Sequence, residues 1–109
     1  MNDRIPAHLE VSGLVRRVNA AGGFATVLQK GEPDAGTILL VFTLNGGNTR
    51  VFERMPQLDG TRKWTLSKGE VADSKDKIEE YLNRRGKQDP DLWIVELDVP
   101  DPERFIGLS

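Results

Sequence analysis

The sequence predicts an α+β domain in the order αββββαβ: an antiparallel four-stranded meander plus a C-terminal strand, with two helices packed on the sheet. Three observations carry that expectation. Apolar residues recur at helical spacing in two separate segments. Between those segments, four extended runs alternate with turns rich in glycine, proline and aspartate. A last apolar run near the C-terminus, bounded by Asp-Pro pairs, has the length of a strand. At 109 residues the chain fits a single domain with a core spanning about residues 7–105.

The first helix lies in "HLEVSGLVRRVNAAGG", where Val11, Leu14, Val15 and Val18 share one face and Gly22-Gly23 supply a stop. Gly13 weakens it by up to ~1 kcal/mol relative to alanine, which keeps a strand at 9–12 as the competing reading. "FATVLQK" (24–30) is the first strand, followed by "GEPDAG" with Pro33 at a favoured turn position. "TILLVFTL" (37–44), "TRVFERM" (49–55) and "TRKWTLS" (61–67) follow, joined by "NGGN" and by a turn at Asp59-Gly60. A second helix, capped by Asp73 or Ser74, runs to about Arg85 with Ile78, Tyr81 and Leu82 on its apolar stripe, and Gly86 is expected to end it. "LWIVELDV" (92–99) is the final strand.

Two-residue loops at Gly46-Gly47 and Asp59-Gly60 would set Phe42 opposite Val51, Leu40 opposite Glu53 and Met55 opposite Trp64. One sheet face then collects Leu40, Phe42, Leu44, Val51, Met55, Trp64 and Leu66, with Glu53 as its anomaly. The other collects Leu39, Val41, Thr43, Arg50, Phe52, Arg54, Lys63 and Thr65. Because "ILLVF" is apolar on both sides, its strand is expected to be central and covered on both faces. The cover for Leu39, Val41 and Phe52 is a helix or tail on one reading, and a partner or second copy rimmed by Arg50, Arg54 and Lys63 on the other.

Charge and composition narrow the chemistry. The formal net charge of −2 argues against bulk attraction to nucleic acid or anionic lipid. The Arg50-x-Phe52-x-Arg54 stripe, with Lys63 beside it, is the one feature that could stack a base, but no RNP1-like pattern accompanies it. Cysteine is absent, which removes disulfides, thiolate metal sites and cysteine nucleophiles and fits a reducing compartment. No apolar run approaches the ~20 residues of a membrane span, so no membrane role and a cytoplasmic location are expected. His8 is the only histidine, at the edge of the first helix, and reads as a cap or surface residue. No phosphate-binding loop, dinucleotide fingerprint or nucleophile elbow occurs. Neither a cofactor nor a metal is expected. Glu96 and Asp98 are neighbours on one strand face, where a hard cation is conceivable. A pairing with Arg16 and Arg17, or with the strand arginines, is the structural reading.

Three stretches carry a resemblance: "VSGLVRRVNAAGGFATVLQKGEPDAGTILLVF", "ERMPQLDGTRKW" and "QDPDLWIVELDVPDPERF". Together they resemble a family of small alphaproteobacterial proteins of unknown function, over roughly residues 11–105. The resemblance implies a single-domain bacterial cytosolic protein and transfers no catalytic or binding residue. Arg16-Arg17, the turn at Asp34–Gly36 and Asp89–Trp93 recur as marks of the pattern. Arg16 and Arg17 flank the apolar stripe, where they either snorkel along the core edge or mark a binding surface.

The expected function is a non-enzymatic binding or adaptor module, homodimeric through a sheet face around Phe52. Its expected interaction surface comprises Arg50, Phe52, Arg54, Lys63, Arg16 and Arg17. The alternative is a small enzyme, or a protein handling nucleotides or nucleic acid, that uses Glu53, Glu96 or Asp98 with the Arg50, Arg54 and Lys63 surface. A buried, perturbed Glu53 inside a pocket would favour the enzyme, and an exposed one the module.

Overall fold

In the computed structural model, which describes residues 5–56, 58–70 and 73–107, the chain runs α1 (Ala7–Ala20), β1 (Phe24–Gln29), β2 (Ile38–Leu44), β3 (Gly47–Pro56), β4 (Arg62–Gly69), α2 (Lys75–Gln88) and β5 (Trp93–Asp98), then a 3₁₀ turn over Pro102–Ile106. This is the αββββαβ order and the α+β class that the sequence predicts. The strands β2, β3 and β4 form an antiparallel meander. β5 inserts between β1 and β2, antiparallel to the first and parallel to the second, giving one sheet in the order β1-β5-β2-β3-β4. β1 therefore joins the sheet through β5 and not through a hairpin with β2.

The connection from β1 to β2 folds over the start of β5. Trp93 Nε1 donates to the Glu32 carbonyl at 2.8 Å, and Glu32 N donates to the Asp91 carbonyl at 3.0 Å. Gly36 lets the loop close, because a Cβ there would meet the Asp91 carbonyl at 2.5 Å and the Glu32 carbonyl at 2.6 Å. The same loop caps α1, whose first turn has no side-chain cap: Ala7 N and His8 N donate to the carbonyls of Asp34 and Pro33. At the other end, Gly23 N donates to the Val18 carbonyl.

Helices cover both faces of the sheet, which explains the two-sided apolar run in β2. Val11, Leu14 and Val18 of α1 pack on Ile38, Leu40, Phe42, Phe52, Val95 and Leu97. On the opposite face Ile78 of α2, with Tyr81 and Leu82, packs on Leu39, Val41, Val51 and Ile94. At ~25 cal/mol per Å² of apolar surface these two layers supply the main driving force for folding.

The registers differ from those expected, and the consequence is large. Leu44 pairs with Gly47 across Asn45 and Gly46, both at positive φ (52° and 78°), so the turn falls one residue earlier than Gly46-Gly47. Leu40 faces Phe52 and Leu39 faces Glu53. At the second connection Pro56 pairs with Arg62, which leaves a longer link between β3 and β4 than the expected two-residue turn. Moving the first turn by one residue would by itself keep the expected facing, because it shifts the pairing by two. The bulge between Phe42 and Leu44, where β3 carries an extra residue, turns β3 over: Phe52 joins the Leu40 face and Glu53 the Leu39 face. The expected placing of the Met55 side chain lies outside what the structure describes.

The second helix also runs further than expected, through Gly86 to Gln88. Pro90 supplies the stop by restricting Asp89, which is extended (φ −135°, ψ 91°). Ser74 caps the start, its Oγ accepting from Lys77 N at 3.2 Å.

Candidate functional site

Glu53 is the chemically most distinctive side chain, because a carboxylate only 7% exposed must be compensated. Its compensation is complete. Tyr81 and Arg85, one turn apart on α2, both donate to it, and Ser67 on β4 donates at 2.7 Å. Arg85 also donates to the Tyr81 hydroxyl oxygen at 2.7 Å. Burial pushes the Glu53 carboxyl up, but the donors from Tyr81, Arg85 and Ser67 together outweigh it and hold the group below its ordinary value of 4.5. For Tyr81, burial and then the Glu53 carboxylate raise the phenol. A carboxylate stabilised as the anion, with its oxygens occupied by three donors, is poorly placed to be a general base near neutral pH. It is a clamp between α2 and the sheet.

The basic stripe on β3 is folded inward. Arg54 makes a two-point ion pair with Glu10 of α1, at 2.7 and 2.9 Å, and its guanidinium stacks 4.8 Å from the Trp64 ring. Arg50 pairs with Glu103 of the 3₁₀ turn and lies 5.7 Å from the Phe42 ring. Burial raises the Glu103 carboxyl, but the Arg50 donor overrides it and leaves it lowered. Phe52, between the two arginines, is 7% exposed and stacked on Phe42 with ring centroids 4.9 Å apart. The face around Phe52, expected as the dimer surface, is therefore core under α1 and the 3₁₀ turn. Of the remaining expected surface residues, Lys63 on β4 and Arg16 on α1 are exposed. Arg17 donates to the carbonyls of Gly13 and Phe105, both at 3.4 Å. The structure thus disperses that set over both sheet faces and does not gather it into one patch.

Glu96 and Asp98 face the α2 side, away from Arg16 and Arg17, which corrects the pairing expected for them. Asp98 accepts from Asn45 N at 3.0 Å and so fixes the β2–β3 turn. Glu96 borders a groove of about 500 Å³ between α2 and the β5–β1 half of the sheet, with Leu28, Ile94, Leu82 and Lys87 among its lining. Among the described residues no group of three or more His, Asp or Glu side chains could hold a metal ion. No described helix is long and apolar enough to cross a membrane.

The feature the sequence reading missed is the edge strand β1. It lies at the end of the sheet, with β5 on one side only. Its sequence, Phe-Ala-Thr-Val-Leu-Gln, carries no charge. Phe24 is 74% exposed, Leu28 50% and Val27 42%. The opposite edge, β4, carries Arg62, Lys63 and Lys68, the charged side chains that keep sheet edges from pairing. The absence of charge between Gly23 and Lys30 was the available signal, but it has meaning only once β1 is known to be an edge.

Comparison with known proteins adds identity without activity. A family model described as "Protein of unknown function (DUF1491)" matches residues 5–107. A crystal structure of a DUF1491 family protein from Caulobacter crescentus is 29% identical with a TM-score of 0.82, covering 97% of this chain and 98% of that one. A solution structure of protein Atu0922 from A. tumefaciens is 30% identical with a TM-score of 0.77, covering 97% of this chain and 95% of that one. No curated protein matches the chain.

Proposed function

This chain belongs to the DUF1491 family of proteins of unknown function, and we propose that it is a non-enzymatic binding module that takes a protein partner along the β1 edge. The observation that carries this reading is the contrast between its charged clusters and that edge. Glu10, Glu53 and Glu103 each bind an arginine of the same chain. A catalytic acid or base would need a free, perturbed group in a cleft. β1, in contrast, has a strand neighbour on one side only and exposes Phe24, Val27 and Leu28, so its outer edge is open to a further strand. An extended segment added there gains main-chain hydrogen bonds, with side-chain contacts at alternate positions for specificity.

The test is retention of proteins from a lysate of the source cells on the immobilised chain, compared between wild type, a Thr26→Lys/Leu28→Lys double variant and a Lys63→Ala/Arg16→Ala control. The module predicts that the β1 variant loses retained partners at unchanged Tm while the control keeps them. Retention that survives charge at β1 overturns the edge as the binding surface.

A further inference from the structure

The partner that β1 fits best is itself. We propose that two copies of this chain pair antiparallel through β1, centred on Thr26, to make one continuous sheet across a twofold axis; this rests on the reading of β1 as the binding edge. An isologous contact requires a self-complementary surface, and β1 has one. With Thr26 opposite Thr26 of the second copy, Phe24 falls opposite Leu28 and Ala25 opposite Val27. Side chains alternate along the strand, so the two aromatic–aliphatic pairs and the central threonine pair share the α2 face. The alanine–valine pairs share the α1 face. Aromatic–aliphatic and threonine–threonine neighbours are favourable cross-strand pairs.

Three features of the fold agree with that register. β1 carries no charge, so no like charges meet when it faces a copy of itself. The pairing to β5 shifts at Leu28, between Val27 and Gln29, and both Leu28 and Gln29 border the groove on the α2 face. Gln29 is the residue paired with Ile94, and Leu28 is the extra residue of the bulge. Its place in the groove lining puts Leu28 on the same side as Phe24, where a second copy's Phe24 would meet it. Lastly, β4 is guarded by lysine and arginine while β1 is not, so pairing has one available edge and closes as a dimer without propagating.

The chain contains no cysteine, which makes a single engineered thiol an unambiguous reporter. Residues directly opposite in an antiparallel pair have Cα atoms ~4.5–5.5 Å apart, within the ~4.4–6.8 Å that a disulfide spans. Thr26→Cys, exposed on the edge, is oxidised beside Lys63→Cys on the β4 edge, and wild-type mass is followed by light scattering across concentration. We expect Thr26→Cys to form a covalent dimer at least tenfold faster than Lys63→Cys, and the wild-type mass to rise towards twice 12.1 kDa. Thr26→Lys should hold the mass at one chain, with the Tm of dilute, unpaired wild type at every concentration. Equal crosslinking rates together with a constant single-chain mass overturn self-pairing. If the lysate retention described above still depends on β1 in that event, only the identity of the partner fails. If that dependence is lost too, the binding-edge reading fails with it.

Discussion

Arg85 of α2 reaches across the sheet–helix interface to donate to the carboxylate of Glu53 on β3, with Tyr81 donating to the same group. This is a polar tie between α2 and a sheet that the helix also touches through Ile78, Tyr81 and Leu82. Removing one partner strands the others. Glu53→Ala should lower stability by about 2–3 kcal/mol, less than the ~3–5 kcal/mol of a fully buried pair because the Arg85 side chain is 25% exposed. The double variant Glu53→Ala/Arg85→Ala should cost less than the sum of the singles by about 1–2 kcal/mol. Urea unfolding of the four proteins gives the cycle.

The same carboxylate sets an acid limit. A group whose native pKa lies below its unfolded value binds fewer protons when folded, so it stabilises the fold above the unfolded pKa. For Glu53 and Glu103, both lowered from 4.5, that stabilisation is present above about pH 5 and is lost as pH falls through their native values. Tm should therefore owe no slope to these groups between pH 6 and 8 and should drop in acid. Glu53→Gln should flatten the acid limb, as followed by thermal melts from pH 7 to pH 3.

Phe52 separates core from surface. Phe52→Ala should cost about 3–5 kcal/mol, the usual range for emptying an aromatic core site, because the ring is stacked on Phe42. Calorimetry reads that loss. A Phe52→Ala protein that melts like wild type would show the ring to be exposed after all.

Two glycines should respond in opposite directions. Gly13, inside α1, has open space where a Cβ would sit, with no neighbouring atom within 4 Å, so Gly13→Ala should gain about 0.5–1 kcal/mol from helix propensity. Gly36→Ala must push its Cβ into the Asp91 and Glu32 carbonyls and should lose about 1–3 kcal/mol. Denaturant midpoints decide both signs.

The elements themselves were legible because their periodicity is local. Val11, Leu14 and Val18 mark α1, and the two-sided run in β2 announces a central strand with cover on both faces. Register was not legible, since it depends on a β-bulge that has no local mark. A turn at Asn45-Gly46 or at Gly46-Gly47 gives β3 the same facing, and the extra β3 residue at the bulge between Phe42 and Leu44 turns the strand over. That single slip exchanged the surroundings of Phe52 and Glu53. It gave a surface reading to a core ring and hid the clamp at Arg85. The pairing of β1 with β5, about 70 residues later in the chain, has no local mark either, and without it the uncharged "FATVLQ" reads as an ordinary strand.

Amide hydrogen exchange along β1, followed from dilute to concentrated protein, tests most directly the claim that this strand is the surface by which the chain pairs. The account predicts that amides within residues 24–29 slow as concentration rises, while those of the β4 edge do not change. Exchange at β1 that stays as fast as at β4, whatever the concentration, would contradict it.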